Sequence, residues 1–168
     1  DEWVVVWLPD GTIEDLNPTL RESYEPTQIN DDGLFVGNAE EIEAAFRWSE
    51  EDGFVFLGSL EGGDDDDEEE EGPGESEGNG LNAGGVTVGG SENEDGEQRA
   101  FRFSSARGMV ALGEPVDGDN GVIARAINDA GLVAGSSQAS DIEGTIVTSQ
   151  PAVTWMLETD RQFTALPT

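Results

Sequence analysis

"INDDGLFVG" (Ile29–Gly37) recurs twice more, as "LNAGGVTVG" (Leu81–Gly89) and "INDAGLVAG" (Ile127–Gly135). Each copy reads apolar, Asn, two small or polar residues, Gly, apolar, any residue, apolar, Gly. The Asn-x-x-Gly centre predicts a tight hairpin turn. Asn tolerates a left-handed backbone and bonds its own main chain, and Gly takes a positive φ without strain. Asn30 with Gly33, Asn82 with Gly85 and Asn128 with Gly131 are therefore read as repeat turns. The flanks "LFV", "VTV" and "LVA" are short and partly β-branched, as strands are. Asp31 and Asp129 follow the first and third Asn, but Ala83 holds that place in the second copy. Turn chemistry accounts for all three copies; ligation would account for two.

Two further patterns follow each hairpin. One is "AFRW" (Ala45–Trp48), "AFRF" (Ala100–Phe103) and "AVTW" (Ala152–Trp155). The other is "FVFLG" (Phe54–Gly58), "MVALG" (Met109–Gly113) and "FTALP" (Phe163–Pro167). Both read as half-buried strands of period two. The chain start carries these two patterns alone, as "VVVW" (Val4–Trp7) and "TIEDL" (Thr12–Leu16), around the turn "PDG". The aromatics Trp7, Trp48, Phe103 and Trp155 share one repeat position and are expected in the core between repeats.

The unit is thus four short antiparallel strands. The Asn motifs lie 52 and 46 residues apart, and the aromatic motifs 55 and 52. Periods near 50 built from four strands suit a β-propeller blade. The expected architecture is all-β and propeller-like, with about three and a half blades; a β-sandwich is the alternative. Residues 1–17 make a half blade, 18–60 a blade, 61–113 a blade with an acidic disordered loop at 61–80, and 114–168 a blade with an insertion at 139–150. "AEEIEAAF" (Ala39–Phe46) is either one helical turn or a strand end. A ring of this size is left open, so the chain is expected to be a piece of a larger protein or a subunit of an assembly. Its start inside a strand-like stretch suggests a processed or internal beginning.

"AFRWSEEDGFVFLGSLEGG", "AFRFSSARGMVALGEP" and "ARAINDAGLVAGSS" together resemble the HAF-repeat family of extracellular proteins. That family carries an aromatic strand, a Leu-Gly segment and then Ile-Asn-Asp-x-Gly. The family's His before Ala-Phe is replaced here by Ala44 and Arg99, and Val153 stands for Phe in the third copy. The resemblance implies a secreted or surface-exposed β-rich repeat protein, and no settled enzymatic activity.

Charge narrows the setting. The 168 residues hold 38 acidic and seven basic side chains, for a formal net charge of -31. The basic residues are all Arg; there is no Lys, His or Cys. Such a chain repels itself at physiological ionic strength, where the screening length is about 8 Å, and far less in molar salt, where it is about 3 Å. The composition points to a halophilic source. It also disfavours binding to nucleic acid or to anionic membranes, and no apolar run is long enough to cross a bilayer.

The same composition removes most catalytic chemistry. Without His or Cys there is no Ser–His or Cys–His nucleophile pair and no ordinary zinc site. Without Lys there is no P-loop. A pair of carboxylates of the glycosidase kind remains as the rival reading. No cofactor is expected. Cations have two candidate sites. The run Asp64–Glu71 has no spaced ligand pattern and reads as a solvated loop. In "DGDNG", Asp117, Asp119 and Asn120 sit on what reads as a turn and could hold Ca²⁺ incidentally, although the distant Glu of a calcium loop is missing. Arg47 and Arg102 hold one strand position and are expected to pair with carboxylates of neighbouring strands. The sequence therefore reads as a non-catalytic binding or assembly module, secreted or on a cell or virion surface. Its partners are proteins or further copies joined through open sheet edges, with surface glycans a further candidate and a plain structural stalk as another alternative.

Overall fold

The computed structural model describes residues 4–16, 23–60, 74–113, 119–139, 152–156 and 163–165; for 119–120, 138–139, 152–156 and 163–165 it describes the backbone only. These residues form an all-β protein of fourteen strands and one short 3-10 turn. A hairpin of β1 (Val5–Trp7) and β2 (Ile13–Asp15) comes first. Three four-stranded antiparallel meanders follow. The first repeat is β3 (Tyr24–Ile29), β4 (Phe35–Ala39), β5 (Ala44–Ser49) and β6 (Gly53–Phe56). The second is β7 (Ser76–Leu81), β8 (Thr87–Glu92), β9 (Gln98–Ser104) and β10 (Gly108–Ala111). The third is β11 (Asp119–Ile127), β12 (Leu132–Ala139), β13 (Ala152–Met156) and β14 (Phe163–Ala165). A single parallel pairing, Gly121 with Gln98, joins the second and third meanders into one mixed sheet. Among the described residues the sheets close into neither a barrel nor a ring.

One local expectation is corrected. β7 starts at Ser76, so the disordered loop read for 61–80 cannot include 76–80. The segment around Ala39–Phe46 is both things weighed for it: a 3-10 turn at Glu40–Ile42 between two strand ends, closed by Glu43 in the left-handed region at φ 51.

Alternation along the aromatic strand sets the layering. Phe46 and Trp48 face back toward the β1–β2 hairpin, in a core with Val4, Tyr24 and Phe35. Ala45, on the opposite face, meets the second repeat in a core with Val36, Leu57, Leu81 and Phe101. Val88, Ala100, Leu112 and Ile127 hold the corresponding places in a third core, between the second and third repeats. The first and second meanders are thus apolar on both faces and bury both against neighbours, as stacked repeats must. Rings fill the first layer closely: Tyr24 meets Phe46 edge-on at 5.1 Å, and Phe35 stacks on Trp48 at 5.1 Å.

The turns hold by local bonds. In the β1–β2 turn, Thr12 donates from its backbone and hydroxyl to Asp10 and holds that carboxyl below its ordinary range. In each Asn-x-x-Gly turn, the Gly N–H donates to the Asn carbonyl, at 3.1, 3.1 and 2.9 Å for Gly33, Gly85 and Gly131. The Asn Oδ1 accepts from the N–H four residues on, at 3.1, 3.0 and 2.9 Å for Leu34, Val86 and Leu132. The three glycines have φ of 78, 74 and 81°, which explains why Gly closes each motif.

Candidate functional site

The same asparagines reach beyond their own turns. Asn30 Nδ2 donates to the carbonyl of Asn82 at 3.2 Å, and Asn82 Nδ2 donates to the carbonyl of Asn128 at 3.3 Å. The turn residues form a ladder running from repeat to repeat in one direction.

A second ladder lies beside it. The first strand of each repeat carries an irregularity in register against the second, between Pro26 and Gln28, Gly78 and Gly80, and Ala124 and Ala126. The residue skipped is Thr27, Asn79 or Arg125, and these lie 52 and 46 residues apart, the spacing of the Asn motif. A bulge turns its extra side chain out of the ladder. Here Thr27 Oγ1 donates to the Gly78 carbonyl at 2.8 Å, and Asn79 Nδ2 donates to the Ala124 carbonyl at 3.2 Å. The sequence reading missed these residues, because three different side chains share the position. The constant spacing from the Asn motif was the signal that could have found them.

Other contacts belong to one junction only. Between the first two repeats, Gln28 clamps Leu81, donating to its carbonyl at 2.8 Å and accepting from its N–H at 3.0 Å. Asn38 Oδ1 accepts from the Gly78 N–H at 2.7 Å. Arg47 bonds Ser105 of the second repeat at 2.6 Å, lies over the Phe103 ring at 5.4 Å, and pairs with Asp52 at 3.4 Å. Between the second and third repeats, Ala83 N–H donates to Asp129 Oδ1 at 2.9 Å, and Arg125 lies 3.6 Å from Glu77. Asp129 therefore does more than shape its own turn. A fourth Asn-x-x-Gly turn, Asn93–Gly96, joins β8 to β9 by the same internal bonds, outside the repeat pattern.

The predicted core aromatics separate. Trp48 and Phe103 pack at the rims of their cores. The fully buried rings are their strand neighbours two residues earlier, Phe46 and Phe101. Trp7 corrects the expectation: it is 70% exposed, on the wall of a groove beside the first repeat. For Trp155 only the strand is described, paired with Val133 across β12. Asp119 and Asn120 lie in β11 rather than on a turn, and Asp117 lies outside the described residues. The acidic run Asp64–Glu71 also lies outside them.

The stack has two ends. Ile29 is 59% exposed, whereas its counterparts Leu81 and Ile127 are 2% and 8% exposed. Beside it runs an apolar groove of about 340 Å³, lined by Val4–Trp7, Pro26–Ile29 and Phe35, with no carboxylate in its walls. At the other end Leu132 is 40% exposed and Ala134 is exposed, where Val36 and Val88 are fully buried.

No family model, curated protein or solved structure matches this chain.

The ladder makes a graded prediction. Asn82→Ala removes a turn acceptor and a donor to the next repeat, and is expected to cost about 2 kcal/mol, or about 4–8 °C in melting temperature. Asn128→Ala removes the turn acceptor without an observed onward bond and is expected to cost about half as much. Thermal unfolding of the two variants in molar salt checks this; equal losses would mean the ladder adds nothing.

Proposed function

We propose that this chain is a non-catalytic assembly module, built as propeller-like repeats of the HAF type, working at high salt on a cell or virion surface or after secretion. The reading is supported most directly by the far face of the third repeat. Arg125, Asn128, Leu132 and Ala134 occupy the places by which the earlier repeats grip their successors, and all four are exposed. A face of that build, with Leu132 and Ala134 exposed between polar groups on a chain of net charge -31, is suited to a protein partner. The high proportion of carboxylate supports the high-salt setting, since it keeps the rest of the surface hydrated and discourages nonspecific contact.

Sedimentation in molar NaCl tests the assembly reading. The chain is expected to self-associate through this face, and Leu132→Asp is expected to leave it at 17.8 kDa with its strand content unchanged. A parent chain that stays at 17.8 kDa at its highest soluble concentration overturns the reading.

A further inference from the structure

The groove at the opposite end has a shape that the rest of the chain explains. β7 packs across β3, β4 and β5, and β11 across β7, β8 and β9. The first strand of a repeat therefore lies over the first three strands of the one before. By that rule β3 should lie over three strands. One is present: β1 carries the aromatic-strand pattern and so holds the third-strand place, with β2 beside it as the fourth. Among the described residues β1 pairs with β2 alone, so its other edge is open. The groove occupies the space between that edge and Pro26–Ile29.

We infer that this groove is a docking site for a β-hairpin of the apolar-Asn-x-x-Gly-apolar kind, one without third and fourth strands of its own. The internal junctions fix how it sits. Trp48 lies opposite Phe35, Phe103 opposite Thr87, and Trp155 opposite Val133. In each case the partner is the second residue after the turn Gly. Trp7 would thus lie opposite that residue of the docked hairpin and lose its exposure. The hairpin's first strand would cover Ile29, as β3 covers Leu81 and β7 covers Ile127. Its Asn Nδ2 would donate to the Asn30 carbonyl, which among the described residues receives only the Gly33 N–H, whereas the Asn82 and Asn128 carbonyls each receive two donors.

A second copy of this chain does not fit, because its third-repeat hairpin β11–β12 is followed by β13 and β14, which would need the space that β1 and β2 already fill. The hairpin alone does fit, and this makes β11–β12 a usable probe. The site rests on the repeat-stacking reading above, but it is a different surface from the face containing Leu132.

The test is binding of a synthetic peptide, Gly121–Ser137 of this sequence, to the intact chain in molar NaCl. Binding is expected to shift Trp7 emission to shorter wavelength and to cut quenching by acrylamide, and Trp7→Phe should remove the signal. Ile29→Asp, at an exposed position, should weaken binding at least tenfold while circular dichroism stays unchanged. A peptide with Asn128→Ala should bind about fivefold to tenfold more weakly, for the lost hydrogen bond. Absence of binding by calorimetry overturns the site. So does binding that survives Ile29→Asp and is lost in Leu132→Asp; that result would place the hairpin on the other face and leave the assembly reading standing. Self-association lost in Ile29→Asp and kept in Leu132→Asp would also overturn it, since the groove would then take a second copy.

Discussion

Gly89→Ala is expected to abolish the cooperative fold. A Cβ at that position would lie 1.7 Å from the Glu77 carbonyl oxygen and 2.9 Å from the Phe101 ring. Neither neighbour can yield. Glu77 is backbone in β7, next to the irregularity that pushes Asn79 toward the third repeat, and Phe101 is fully buried. Relief requires β7 to lift off β8, which breaks the second repeat and both junctions it serves. The cost should exceed about 4 kcal/mol, against a total stability of about 5–15 kcal/mol for a domain. Gly96→Ala is the matched control. It has a positive φ of 71° but open space around the added carbon, so only a local backbone strain of about 1 kcal/mol is expected. Near-ultraviolet circular dichroism and thermal melts in molar salt separate the two. A Gly89→Ala protein melting within a few degrees of the parent would show that β7 does not approach β8 as described.

Removing salt should rank next in effect. The chain carries 38 acidic and seven basic residues, and the ion pairs at Arg47, Arg99 and Arg125 neutralise only a small part of that excess. Between molar and about 10 mM salt the screening length grows from about 3 Å to about 30 Å, so carboxylates on different repeats begin to repel one another. A destabilisation of about 5 kcal/mol would lower the melting temperature by about 10–20 °C. Sodium, potassium and choline chlorides at equal ionic strength should protect equally if screening is the cause. A melting temperature unchanged by dialysis would remove the case for a brine environment.

The repeat turns were legible in the sequence because their chemistry is local. Asn30, Asn82 and Asn128 make bonds within four residues, and the glycines that follow are needed at positive φ. The second glycine of the motif was visible as a pattern but not as a cause. Gly37 and Gly89 are required by carbonyls on a neighbouring strand, Glu25 and Glu77, and by the rings of Phe46 and Phe101. The core was half legible. Alternation marked the aromatic strands, yet it could not say which of two rings two residues apart would be buried, since Phe46 and Trp48 share a face. Trp7 was misplaced for a similar reason: its own strand is correctly read, but its exposure depends on what lies beyond β1. The junction bonds were hidden altogether, because Thr27, Asn79 and Arg125 share a backbone position and no side-chain type.

Three near-copies in one polypeptide invite mispairing, since any unit could close against the wrong neighbour or against another molecule during folding. The contacts that differ between junctions act as keys. Gln28 recognises Leu81 by both backbone polar groups of that residue, and the residue at the corresponding place in the next unit is Gly80, which has no side chain to do the same. Asp129 caps Ala83, and Ala83 has no carboxylate with which to cap Asp31 in turn. The order of the units is thereby written into their edges, so that a shuffled or circularly slipped arrangement forfeits bonds that only the native sequence of neighbours can make.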